Sequence, residues 1–67
     1  MTGKERIVEY LNSHGPQRDE DLAEALKMSP SSVRTRRHEL ELEGVVVAVG
    51  KTLTKYLRET WIWDIHK

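Results

Sequence analysis

A helix has to begin at Ser29-Pro30, and this constrains the chain more than any other feature. Ser29 is a good N-cap, because its side-chain oxygen can accept from a backbone N–H that lacks an intrahelical partner. Pro30 then takes the first helical position, where its missing N–H costs nothing and its fixed φ already suits a helix. Another short helix reads from Asp19 to Lys27, so only a few residues separate the two. They must meet at a steep angle. From Lys27 to His38 there are four Lys or Arg residues and no Asp or Glu. A positive helix start with small polar side chains suits a groove lined with phosphates.

Sixty-seven residues allow a single domain, 1–67. That is near the lower limit for a core without staples, and there is no cysteine to supply one. Trp61 and Trp63 are the heaviest candidates for the core. The longest apolar run, Val45 to Val49, is far too short to span a bilayer. No apolar stretch follows Lys4 and Arg6, so no signal peptide is expected. These features predict a cytoplasmic protein without a membrane partner.

The formal net charge is zero, which argues against a nonspecific polycation. The charges are nevertheless segregated. Asp19, Glu20, Asp21 and Glu24 form an acidic block. Arg34, Arg36 and Arg37 form a basic one, and Lys51, Lys55 and Arg58 a second. Such a dipolar molecule can prepare one face for an anion.

Taken in order, Thr2 to Asn12 reads as a first helix, with Thr2-Gly3-Lys4-Glu5 in the form of a capping box. Ile7, Val8 and Leu11 make its buried stripe, with Tyr10 at the edge. His14-Gly15-Pro16 ends it, and His14 is expected to cap that end. In the second helix the acids sit at the N-terminal end, where the macrodipole favours them. Leu22, Ala23 and Leu26 face inward, and Met28 tucks under the turn. The third helix is expected from Pro30 to about Glu43, stopping at Gly44. At about 100° per residue, with Val33 inward, Leu40 lies within about 20° of it and Arg37 about 40° away. Arg37 should therefore snorkel, with its head on a carboxylate. Arg36, on the other flank, is expected to pair with the acidic second helix. Ser31, Arg34, Thr35 and His38 fall about 100–200° from Val33, on the outward face. Leu42 points almost opposite Val33 and should be exposed.

Val45 to Val49 is β-branched and short, which predicts a strand, and Gly50 should start a turn. Thr60 to Ile65 predicts a second strand, with Trp61, Trp63 and Ile65 inward and Ile62 outward. The two form an antiparallel hairpin, with Gly50 to Glu59 as a long basic tip. The fold class is α+β: three helices followed by a two-stranded hairpin.

No catalytic constellation is evident. His14, His38 and His66 lie on separate elements without metal-ligand spacing. No Gly-rich phosphate loop follows a strand. The expectation is a non-enzyme with no cofactor, no metal and no small-molecule ligand.

This order of elements resembles the winged helix-turn-helix family over nearly the whole chain. The residues that carry the resemblance are Asp21-Leu22-Ala23-Glu24-Ala25-Leu26 and Met28-Ser29-Pro30-Ser31-Ser32-Val33-Arg34. They continue with Glu39-Leu40-Glu41 before Gly44-Val45-Val46, and close with Ile62-Trp63-Asp64-Ile65. The wording around Val33-Arg34 is similar to small bacterial and bacteriophage members. The resemblance implies DNA binding, with the third helix in the major groove and the wing on the backbone or minor groove. Arg37 departs from it, at a place often aliphatic in the family, as does Gln17 in place of a β-branched residue, which weakens the expected short strand before the second helix. The family also includes left-handed-DNA binders, with an asparagine and a tyrosine in the third helix and paired prolines in the wing. Here Arg34 and His38 stand at those helix positions and the wing has no proline. Only the Trp63-Asp64-Ile65 ending is similar.

The leading expectation is a sequence-specific, double-stranded-DNA-binding transcriptional regulator. Its contacts would be Ser31, Ser32, Arg34, Thr35 and His38 from the third helix and Lys51, Lys55, Tyr56 and Arg58 from the wing. The alternative is a winged-helix adaptor for a protein partner, which zero net charge, the glutamates of the third helix and exposed Leu42 would suit. A monomer in solution is expected, pairing at most weakly on DNA through Leu42 or Ile62.

Overall fold

The computed structural model describes residues 2–66. Helix α1 runs Gly3–His14, strand β1 Gln17–Arg18, helix α2 Asp19–Leu26 and helix α3 Pro30–Leu42, followed by strands β2 Val46–Leu53 and β3 Glu59–Ile65. The helix starts follow from their caps. The Thr2 hydroxyl accepts from the Glu5 N–H, and the Glu5 carboxylate accepts from the Thr2 N–H. The Ser29 hydroxyl accepts from the Ser32 N–H at 3.1 Å, with Pro30 inside the first turn. The turn between α2 and α3 closes because Lys27 adopts a left-handed conformation, φ 55°, so that the Met28 N–H reaches the Ala23 carbonyl. Gly44, φ 79°, ends α3 in the same way, and the Val45 N–H returns to the Leu40 carbonyl.

The core draws on every long element. Ile7 and Leu11 come from α1, Leu22 and Ala23 from α2, Val33 and Leu40 from α3, Val46 from β2 and Trp63 from β3. Val8, Tyr10, Leu26, Met28, Val45, Ala48 and Ile65 pack around them. The helical stripes expected from spacing are thus the buried ones, and Leu42 is exposed. Among the described residues no helix is long and apolar enough to cross a membrane.

The sheet differs from a two-stranded hairpin. It has three antiparallel strands in the order β1-β3-β2. Gln17 lies opposite Trp63 and Arg18 opposite Ile62. Backbone pairing needs no β-branched side chain, so Gln17 does not prevent the short strand. The hairpin is also longer than the apolar run. Gly50 does not start the turn: β2 continues through it to Leu53, opposite Glu59, and the reversal is confined to residues 54–58. There the Thr54 hydroxyl accepts from the N–H groups of Tyr56 and Arg58.

Pairing shifts register between Ala48 and Gly50: Ala48 faces Trp63, whereas Gly50 faces Ile62 and Lys51 faces Trp61. Val49 is therefore an extra residue, and this bulge resets which side chains share a face. Lys51 is carried to the face of Trp61 and Trp63. Two expectations for β3 fail here. Trp61 is not in the core but 48% exposed, because β1 pairs no further than Ile62 and the core ends at Trp63. Ile62, expected outside, is half-buried beside Gly50.

Candidate nucleic-acid interface

Helix α3 presents Ser31, Arg34, Thr35 and His38 to solvent, as its period requires. Their hydroxyls and charges are not equally available. The Thr35 hydroxyl donates to the Ser31 carbonyl at 3.0 Å. The Ser32 hydroxyl accepts from that of Ser29 at 2.8 Å, so Ser32 belongs partly to the cap. His38 Nδ1 lies 3.5 Å from a Glu41 carboxylate oxygen. Arg34 differs from these. It and Arg58 make no ion pair among the described residues.

Arg34 and Pro30 border a cleft whose far wall is the wing, through Lys55 and Tyr56, and whose floor is α2, through Asp19, Glu20 and Ala23. The structure thus brings part of the expected helix set and part of the expected wing set together. Lys51 and Arg58 do not line this cleft. The Lys55 ammonium lies 5.3 Å from the centre of the exposed Tyr56 ring and 3.9 Å from Glu20. Lys51 lies 3.8 Å from Glu59 and 4.5 Å from the centre of the Trp61 ring. At such distances exposed ion pairs hold their partners weakly, so both ammonium groups can exchange to a phosphate.

Four acids near this face have cations of their own. Arg37 donates to both oxygens of Asp19, at 3.1 and 2.9 Å, and to Glu41 at 3.2 Å. Its guanidinium lies 4.0 Å from the centre of the Trp63 ring. Arg37 is therefore the cation by which α3 holds the acidic second helix. Arg36, expected in that role, stays on α3 and pairs with Glu39 at 2.7 Å, since it and Glu39 lie one turn apart. Glu43 pairs with Lys4. Asp19, Glu39, Glu41 and Glu43 thus repel a polyanion less than the sequence suggests.

Arg18 fastens the wing to the body. Its guanidinium donates to both oxygens of Asp21 and, at 3.2 Å, to the Leu53 carbonyl at the end of β2. The hydrogen bond from the Arg18 side chain holds the Asp21 carboxyl below its ordinary pKa, against the opposing effect of burial. The Arg18 backbone N–H and its positive charge add to this. At the other end of the molecule His14 Nδ1 is 3.2 Å from the Tyr10 carbonyl and its ring stacks on that of Tyr10. That fits an end cap.

Two residues of this face were missed from sequence: Arg18, as the clamp of the wing, and Trp61, as an exposed aromatic. The signal for Trp61 is positional, since a long hairpin must outrun a core this small.

The family model for winged helix-turn-helix DNA-binding domains matches residues 4–47. The chain is also similar to the apo Zalpha domain of zebrafish PKZ, known from a crystal structure. The TM-score is 0.73 and the identity 28%, over 96% of this chain and 91% of that one. Comparison with curated protein sequences gives no match. The family match covers more than half of the chain, from α1 through the turn and α3 into β2, and the chain belongs to the winged helix-turn-helix DNA-binding family.

Proposed function

We propose that the protein binds double-stranded DNA in a sequence-dependent way, with the N-terminal two turns of α3 in the major groove and the wing on the backbone, as a small transcriptional regulator. The observation that carries this reading is Arg34: exposed on α3, without an ion pair among the described residues, and across one cleft from Lys55 and Tyr56. A major groove admits an α-helix, and an arginine can bond a guanine edge with two hydrogen bonds. Ser31, Thr35 and His38 share that face and supply further contacts, while Ser32 supports the helix start. Lys51, Lys55 and Arg58 meet phosphates, which position the protein without reading sequence.

The test is retardation of random duplex DNA at low and moderate salt, followed by selection of a preferred site. Binding at low salt that weakens at moderate salt is expected. Arg34→Ala should lose about 1–3 kcal/mol of discrimination between the selected site and random duplex. Thr35→Ala should lose less, because its hydroxyl proton is already given to Ser31. Equal losses on both duplexes refute base reading by Arg34. No retardation at low salt refutes DNA binding and favours the protein adaptor.

A second reading, binding of left-handed duplex DNA, is favoured by the likeness to the Zalpha domain of zebrafish PKZ. Against it, Arg34 and His38 replace an asparagine and a tyrosine, and the wing has no proline. Circular dichroism of an alternating dC-dG duplex separates the two. An inverted spectrum on adding protein supports the second reading, and an unchanged one supports the first.

A further inference from the structure

We propose that the wing carries a stacking site for an unpaired nucleobase, formed by the indole of Trp61 with Lys51 as its phosphate partner. This rests on the reading of the chain as a DNA binder and adds a substrate preference to it: nucleic acid in which the base stack is interrupted.

The site arises from the bulge at Val49. Without the extra residue, Lys51 would point to the opposite face of the sheet from Trp61. With it, Lys51 stands directly opposite Trp61, on the face that carries Trp63, and its ammonium lies over the Trp61 ring, 4.5 Å from the ring centre. Trp61 is nevertheless half open to solvent, because it stands beyond both the end of β1 and the edge of the core. A large aromatic on a projecting element thus carries a cation over one face while remaining half open to solvent. Arg58 and Lys55 on the same wing add positive charge.

This chemistry matches a nucleotide. A base offers a π-face and its own backbone offers a phosphate, and proteins that hold single strands combine aromatic platforms with basic tracks. Inside an intact duplex the base faces are covered by their neighbours, so Trp61 finds a free base face only at an unpaired nucleotide or a duplex end. The acid beside the site is Glu59, exposed and 3.8 Å from Lys51, and this contact is loose enough for a phosphate to replace it. The second aromatic and cation of the wing, Tyr56 and Lys55, lie against the Arg34 cleft. The wing therefore carries one such pair toward the duplex site and a second further along the hairpin.

The test compares a blunt duplex with the same duplex carrying a single-stranded oligo(dT) extension, on the full chain and on Trp61→Ala and Trp61→Phe. The extension should raise the affinity of the parent protein about tenfold. Trp61→Ala should bring the extended and blunt probes to equal affinity, and Trp61→Phe should keep most of the difference. Indole emission should be quenched by the extension in the parent and not in Trp61→Ala, where only buried Trp63 remains. Equal affinity of the parent for both probes, or a gain that survives Trp61→Ala, overturns the proposal. A gain on the extended probe without any binding of the blunt one overturns the duplex reading and leaves this site standing. Binding of neither probe overturns both.

Discussion

Arg37 is where charge and core meet in this molecule. Its side chain is only 12% exposed, yet three carboxylate contacts and the face of Trp63 surround it. Burying a charge is unfavourable unless it is paired and hydrogen-bonded, and here the carboxylates and the ring together replace water. Removing the cation strands Asp19 and uncovers Trp63. Arg37→Ala should therefore lower stability in urea by about 2–4 kcal/mol. The pair Arg37→Met with Asp19→Asn should recover most of that, because an apolar side chain can occupy the same space once the acid is neutral. A single-variant loss of less than about 0.5 kcal/mol, the value of a surface pair, would contradict this account. The helical period did reveal that Arg37 would snorkel. It cannot say which acid Arg37 meets, because that depends on the crossing of α2 over α3, and so spacing alone points to Arg36 as the partner of the second helix. Asp21 gives a second test at this scale. Its folded-state pKa lies below the ordinary 3.8, so its contribution to stability is fully present above about pH 4 and is lost as pH falls through the folded value. Asp21→Asn should destabilise the protein at neutral pH, and the gap from the parent should close in acid. A gap that widens as pH falls would show that the Arg18 contact is not what holds Asp21.

The element that most departs from expectation is the wing, and the reasons are physical. Helices advertise themselves locally: Thr2 with Glu5 and Ser29 with Pro30 mark starts, Gly15 and Gly44 mark stops, and the inward stripes follow one period. Strands are completed by their partners. Gly50 looks like a turn residue until β3 pairs with it, and Gln17 looks too weak for a strand until β3 offers it an edge. The bulge at Val49 exists only as a mismatch between two strands, so neither strand reveals it alone. The same holds for Trp61, since alternation gives its face correctly but says nothing about where the core ends. The α3 side of the candidate interface was therefore legible and the wing side only in its charges. Those charges carry a prediction of their own. Lys51, Lys55 and Arg58 are exposed, and their acidic contacts are loose or absent among the described residues. Each alanine substitution should lower the slope of log affinity against log salt by about one unit, without changing the preferred site. An unchanged slope in the triple variant would place the wing away from DNA.

At the scale of the whole molecule, extents of 32 × 25 × 21 Å leave room for one recognition helix, whose two useful turns can touch only a few base pairs. That is little information against about 10⁶ or more competing sites in a genome. Symmetric pairing on two half-sites is the usual remedy, and a two-fold protein arrangement then appears as a two-fold DNA site. The structure withdraws one of the two side chains expected to mediate such pairing. Ile62 is withdrawn beside Gly50, whereas Leu42 is 74% exposed on the last turn of α3. One leucine is a small patch, and isolated exposed apolar side chains do not hold a dimer together. The free protein should therefore sediment as a monomer at micromolar concentration. On a duplex with two half-sites, the second copy should bind more tightly than the first through a contact that includes Leu42, and Leu42→Glu should abolish that gain while leaving single-site affinity intact. A stable dimer without DNA would refute the first part. Independent filling of the two half-sites by both the parent and Leu42→Glu would refute the second, and the protein would then have to obtain its specificity from another chain.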